Sequence, residues 1–492
     1  MLSKKSGLDA LIAMAIERAR AENRRVLVSL TEKIDELDAL AALESLSVAP
    51  VVQELPGSGM IYWERPADDF SMAGLGAAWT FEHGGSDRFA TTEAEWRSLL
   101  EGAIVEPPVS STGTGPVIMG GFSFDPAGPR TSEWNALGSS HLVIPALLIT
   151  SKSGESWVTM NVVLSPGGNT HLDPTALGSA AESVSAVSGQ SPIDIAAAAP
   201  IELSIESLST RGEWQEMVRT AVTEIRSGDL SKVVVARAVR VSAPDTIDVF
   251  ALLRHLRSIH RESFVFGVWQ SDSAFVGASP ERLVRVTGSE VEASSLAGTI
   301  ERGATPSEDA DNAHLLREST KDLAEHVAVR DELISALSER CDDVRAADTP
   351  SLLTLPNVHH LHTPIRARLR SGDSLLSLVG ALHPTPAVGG LPRDVALEFI
   401  EDHEGLDRGW YAAPVGWIGG QSGEFAVALR SALVDGNHAV LYAGCGIVAE
   451  SDPDLEYAES NLKLKAMLSA IAASASASPD HAAATAALEH SS

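Results

Sequence analysis

The sequence predicts a mixed helix-and-strand protein of the α/β or α+β class, built as one large interlocked unit or as two to three domains. Three observations lead there. At 492 residues the chain exceeds one small domain, and 44% hydrophobic with 21% charged residues is the balance of a globular protein with a large core. Runs rich in β-branched and aromatic residues, cut by Gly, Pro, Ser and Asp, dominate from Gly59 to Leu164. Apolar residues three and four apart mark helices before, between and after such runs.

Leu8 to Arg24 carries Leu8, Leu11, Ile12, Met14, Ala15 and Ala19, the spacing of an amphipathic helix. Val26 to Leu30 reads as a strand. Met60 to Trp63, Pro116 to Phe124, Val143 to Thr150 and Trp157 to Leu164 are further strands, with Lys152-Ser153-Gly154-Glu155 as a hairpin turn. No catalytic constellation stands out in this first third. Leu177 to Pro200, rich in Ala, Ser and Gly, reads as a surface connection, and helical spacing resumes from Trp214 to Ile225.

The chain then changes character. Ser231-Lys232-Val233-Val234-Val235-Ala236-Arg237 is a β-branched strand with a lysine among valines. Phe275 to Leu283 places Glu281 just after a small-residue bend, and Leu296-Ala297-Gly298-Thr299 reads as a second glycine turn. A long helix is expected from Ala310 to about Ser338, with Asp322 and Glu325 one turn apart. Val358 to Pro364 and Leu382 to Gly390 follow, then strand-like segments over Gly409 to Ile418, Glu424 to Leu433 and Ala439 to Val448. A last helix shows Glu456, Glu459 and Lys463 on one face and Leu464, Met467, Leu468 and Ile471 as its apolar spacing. Ala472 to Ser492, rich in Ala and Ser, is expected to be disordered.

Charge excludes some functions. A formal charge of −29 opposes nucleic acid and anionic membranes, and an anionic substrate needs local cations, backbone N–H groups or a metal ion to be captured. No apolar run reaches the length of a membrane span, and Met1 to Gly7 lacks a secretory apolar core, so a cytoplasmic location is expected. Cys341 and Cys445 alone form neither a disulfide framework nor a thiolate zinc site.

Two carboxylates beside one ammonium, as in Glu456, Glu459 and Lys463, suit a hard divalent cation together with an anionic substrate. The same residues also read as a solvated helix face with an ordinary Glu–Lys pair. His359, His360, His362 and His383 raise a zinc site as a further reading, and Cys445 between two glycines raises a nucleophile.

Ser231 to Arg237, Gly277 to Leu283, Leu296 to Thr299, His383 to Gly390, Arg430, Ala443 to Val448 and Glu456 to Lys463, in this order, resemble the chorismate-utilising enzymes. That family includes isochorismate, salicylate, aminodeoxychorismate and anthranilate synthases. The likeness covers roughly Arg211 to Ile471, more loosely the first part, and is greatest to isochorismate synthase. It implies an α+β fold, a large two-sheet sandwich flanked by helices. Residues 1–200 would be its strand-rich N-terminal part, 201–471 its chorismate-binding catalytic part and 472–492 a tail.

The resemblance also implies an activity: magnesium-dependent addition of water at C2 of chorismate with loss of the C4 hydroxyl, an isomerase reaction feeding menaquinone or siderophore synthesis. Lys232 is similar to the family's general base and Glu281 to its general acid, a carboxyl that must stay protonated near neutrality. Among its valines, Lys232 would be pushed toward a neutral amine by desolvation. Glu325 and Glu459 resemble the direct Mg2+ ligands, with Asp322 and Glu456 supporting them. Arg430, Lys463 and Gly444 resemble the substrate carboxylate clamp, Gly298 and Thr299 the turn that lines the ring and metal side, His360 a pocket histidine, and Ala387 and Leu429 further substrate-binding positions. Ala297 stands where aminodeoxychorismate synthases carry a nucleophilic lysine, so water or ammonia would attack directly. No glutaminase subunit is expected, and a monomer or homodimer is. Salicylate synthase and a non-catalytic chorismate-binding relative are the alternatives.

Overall fold

Strand Ser140–Lys152 is where the architecture divides. One of its edges pairs with Phe70–Phe81; the other pairs first with Ile118–Phe122 and then with Glu155–Leu164. Its first eleven residues are all buried, so its sequence is a continuous apolar run instead of an alternation. The computed structural model describes residues 4–50, 55, 57, 59–108, 111–187, 202–356 and 358–475.

Two limbs of antiparallel ladder leave that strand. The first runs through Phe70–Phe81, Met60–Arg65, Phe264–Gln270, Ser273–Ser279, Ser431–Asp435, His438–Ile447 and Lys232–Ser242. The second runs through Ile118–Phe122, Pro414–Ile418, Ser422–Val427, Arg282–Thr287, Glu290–Glu301 and Val358–Leu369. The two expected sheets are therefore halves of one ladder, and each half joins early to late chain. Their faces meet: Phe70 of the first limb lies 5.5 Å from Trp417 of the second, and the Arg282 guanidinium lies 5.5 Å from the Phe264 ring. Burying such aromatic pairs between sheets supplies a large share of the core's hydrophobic stabilisation.

The chain crosses between limbs twice near the future site. Pro280-Glu281 joins Ser273–Ser279 to Arg282–Thr287, and Ala428-Leu429-Arg430 joins Ser422–Val427 to Ser431–Asp435. The crossings are laced together: Ser279 Oγ donates to Val427 O at 2.5 Å, Val427 N to Glu281 O at 3.1 Å and Ala278 N to Arg430 O at 3.1 Å. Arg430 has φ +49°, a left-handed conformation that costs a non-glycine residue and persists because both strands fix it.

Helix Thr320–Ser338 packs on Glu290–Glu301, and helix Pro453–Ala475 on His438–Ile447. The first buries His326, Val329, Leu333 and Leu337, the second Leu464, Met467, Ala470 and Ile471, spacings that give each helix one inward stripe. Among the described residues no helix is long and apolar enough to cross a membrane.

Several local expectations need correction. The single helix over Ala310 to Ser338 is two, Pro306–Glu318 and Thr320–Ser338, because Ser319 is extended and caps the second by accepting from Asp322 N. Gly298 makes no turn; it is a bulge with φ +81° inside strand Glu290–Glu301. Leu177 onward is not a surface connection at first, since Pro174–Val187 is a helix burying Leu177, Ala180, Ala181 and Val184; residues 188–201 lie outside the described residues. Helix Pro453–Ala475 takes in Ala472 to Ala475, expected to be disordered, because Ser474 and Ile471 still pack inward; residues 476–492 lie outside the described residues. The hairpin at Ser153-Gly154 has positive φ at both residues, 52° and 76°, as a tight two-residue turn requires.

Candidate active site

Lys232 begins its strand at an edge shared with His438–Ile447, and only 4% of it is exposed. Its Nζ lies 2.8 Å from Glu325 Oε1. The amine is buried beside Val234, which lines the same cavity, but it also rests against a carboxylate that the valines did not suggest. Gly446 makes room for the pair, since a Cβ there would fall 2.8 Å from Lys232 Cε and 3.0 Å from Glu325 Oε1.

Glu281 sits on the first crossing and is 4% exposed. Burial pushes its carboxyl up to about 7, against the pull of Lys232, Lys463 and Arg430. Neighbouring Arg282 does not neutralise it, because that guanidinium pairs with Glu424 at 2.6 Å on the other face of the strand. Arg430 lies on the second crossing, where burial lowers its pKa. Lys463 donates to Gly444 O at 2.8 Å and pairs with Glu459 at 2.6 Å; burial opposes its charge, but Glu459 and Cys445 together outweigh burial and the net shift is upward.

Four carboxylates come from the first two turns of two helices: Asp322 and Glu325 from Thr320–Ser338, Glu456 and Glu459 from Pro453–Ala475. Burial, then the charges of Glu325 and Glu459, raise Asp322, so the two helices feel each other's acids. Burial and Glu459 push Glu456 up to about 7. Burial would raise Glu325 too, but Lys232, with Lys321 and Lys463 behind it, lowers that carboxyl's pKa on balance.

Crowded buried carboxylates of this kind fit a hard divalent cation. Donor atoms of Glu456, Glu459 and Cys445 lie within 4.8 Å of one another. The thiol adds no soft ligand, since burial drives its pKa far up and Sγ donates to Glu456 O at 3.3 Å. A buried thiol held in its protonated form, with Sγ donating to a backbone carbonyl, also speaks against the nucleophile reading of Cys445.

His360 is buried, and its Nδ1 contacts Thr299 Oγ1 at 2.8 Å while Nε2 has no partner among the described residues. Burial, Arg430 and Lys463 lower it to about 3, so a neutral imidazole faces the cavity. The zinc reading is overturned. His359 bonds Asp309 and Thr354, each at 3.0 Å, His383 contacts Phe124 O at 3.3 Å, and the histidines converge on no common point among the described residues.

Lys232, Glu281, Gly298, Thr299, Asp322, Glu325, His360, Ala387, Leu429, Arg430, Gly444, Glu456, Glu459 and Lys463 all line one cavity of about 100 Å3. Every site residue expected from the sequence is in that wall. Lys321 and Gly446 line it as well and were not anticipated. Lys321 Nζ lies 3.8 Å from Glu456 Oε1. A lysine in the first turn of a helix reads as solvated, and only the pattern Ser319-Thr320-Lys321-Asp322, a helix cap, could have placed it at a cavity mouth.

The family model for chorismate binding enzymes matches residues 14–472. A Pseudomonas aeruginosa protein named salicylate biosynthesis isochorismate synthase is 38% identical over 466 residues, 93% of each chain. Isochorismate synthase MenF of Bacillus subtilis is 34% identical over 463 residues, 93% of this chain and 96% of that one. Among solved structures, MenF, the menaquinone-specific isochorismate synthase from Escherichia coli, aligns with a TM-score of 0.72 at 25% identity, covering 94% of this chain and 99% of that one. Anthranilate synthase component I from Streptococcus pneumoniae shares the fold, with a TM-score of 0.64 at 21% identity over 81% of this chain and 92% of that one.

Proposed function

Starting from a chain that belongs to the chorismate-binding enzyme family and is an isochorismate synthase, an isomerase, we propose that Lys232 and Glu281 are the base and acid of its reaction. Isochorismate synthases of this family are tied to menaquinone and siderophore pathways. Chorismate gains water at C2 and loses its C4 hydroxyl, the ring double bonds shifting between. Lys232 takes a proton from the adding water, and Glu281 gives one to the departing oxygen, which hydroxide chemistry at neutral pH requires.

The observation that carries this reading is the shared cavity: an amine and a carboxyl whose pKa lies near 7 line it together with two cations for carboxylates. Arg430 offers a planar two-point fit and Lys463 a point charge for the carboxylates of chorismate. His360, neutral and with Nε2 free, hydrogen-bonds a polar group of the ring.

Glu325 and Glu459 would hold a Mg2+ ion directly, with Asp322 and Glu456 supporting them. When bound, the ion supplies positive charge for a substrate carboxylate. For Lys232 to work as a neutral amine, Glu325 has to leave the ion pair it makes in this structure. The product profile from chorismate with and without Mg2+ tests the assignment. Isochorismate accumulating only with Mg2+ is expected; salicylate with stoichiometric pyruvate, or binding without turnover, would overturn it.

A further inference from the structure

A second cavity, of about 1160 Å3, shares no lining residue with the reaction cavity. Helices Arg88–Leu100, Leu375–Leu382 and Arg393–His403 and the loop at 123–130 form its walls. Its size suits an organic molecule.

This cavity sets six arginines, Arg88 and Arg393 among them, beside six carboxylates, of which Glu93 pairs with Arg97 and Asp407 accepts from the backbone N–H groups of Arg130 and Thr131. Arg88 is 3% exposed, lies 4.6 Å from the Phe89 ring centroid and donates to Gly85 O at 3.1 Å and Ser123 O at 3.2 Å. Its Nε has no partner among the described residues, and no carboxylate pairs with it there. Burial lowers its pKa to about 10, with Asp125 the one opposing charge. Arg393 donates to Ala381 O at 2.7 Å and likewise has no carboxylate partner among the described residues. Arg408 differs, because Glu404 neutralises it at 2.6 Å. His383 feels all three: burial and then Arg88, Arg393 and Arg408 lower it to about 3, so it adds no charge of its own.

A buried guanidinium whose Nε lacks a partner among the described residues is costly, and an incoming anion offsets that cost. We infer that this cavity binds a small organic anion, a carboxylate on an apolar body, with Arg88 and Arg393 meeting the carboxylate and Phe89 and Phe124 the body. An anion seated there touches the far side of a loop that also walls the reaction cavity. His383 and Pro384 of that loop line the large cavity, and Ala387 lines the small one. Arg408 fastens the same partition, donating to Val388 O at 2.8 Å and to Val234 O at 2.7 Å.

Calorimetric titration of benzoate into the full chain carrying Lys463→Ala tests this without turnover. That background removes one of the two clamp cations from the reaction cavity, and the further Arg393→Gln and Arg88→Gln changes assign the remaining binding to the second cavity. A saturable heat is expected, weakened about tenfold or more by adding Arg393→Gln and by adding Arg88→Gln, as the loss of one charge-assisted contact implies. Thermal melts check each variant, and half-buried Arg393 keeps the test valid should the Arg88 variant not fold. No saturable heat at millimolar benzoate, binding lost on Lys463→Ala alone, or affinity unchanged by Arg393→Gln would each overturn the inference.

Discussion

Helices Thr320–Ser338 and Pro453–Ala475 bring the same equipment to the cavity and use it differently. Each presents an acidic pair spaced i, i+3 and a lysine. In the second helix the pairing is local, Glu459 to Lys463 one turn on at 2.6 Å. In the first it reaches across the fold, Glu325 to Lys232 on a strand at 2.8 Å, while the helix's own Lys321 lies 3.8 Å from Glu456 of the other helix. A local pair survives whatever the sheets do. The long-range pair ties a proposed metal ligand to the proposed base, so occupancy of one bears on the state of the other.

The strongest way to break that contrast is Lys232→Ala. Loss of a general base predicts a fall in kcat of about 10²–10⁴, with near-native circular dichroism, checked by steady-state assay. Activity near wild type would remove Lys232 from the chemistry. Next is pH. Glu281, raised to about 7, is protonated below that value and ionised above it, so kcat/KM should fall about tenfold per unit above roughly pH 7. Glu281→Gln should abolish that limb along with most activity.

Glu459→Gln comes third. It should raise the Mg2+ concentration for half-maximal rate by about tenfold, the loss of one charged ligand, and leave the Lys232–Glu325 pair untouched. Gly446→Ala sharpens the comparison from the other side. Its Cβ would push Lys232 from Glu325 and slow turnover a few-fold to tenfold, with little change in Mg2+ requirement. Asp322→Asn should do least, a few-fold rise in the Mg2+ requirement, since burial already raises its carboxyl pKa.

What the sequence disclosed follows the same division between local and distant. Carboxylates one turn apart, glycine beside a strand cysteine and a lysine at a strand start are short-range patterns, and all of them reach one wall. The partner of Lys232 was not legible: nothing near it in sequence names Glu325, and the valines suggested an apolar setting instead. Gly446 lay within a quoted motif, but its purpose depends on a side chain more than 200 residues earlier. The helix break at Ser319 is marked in the sequence only by the short cap pattern Ser319-Thr320-Lys321-Asp322. The second cavity was invisible, because Arg88, Arg393 and Phe124 meet only after the limbs fold over one another.

The two crossings between limbs have a consequence for motion. Glu281 and Arg430 ride on backbone segments stitched to each other at Val427 and Ala278, so neither can swing without dragging its neighbour. Opening to admit substrate then falls to the two acidic helices, whose ties across the cavity are side-chain pairs such as Glu325 to Lys232. Amide hydrogens at Ala278 and Val427 should be among the last to exchange, and those in the first turns of the two acidic helices among the earliest.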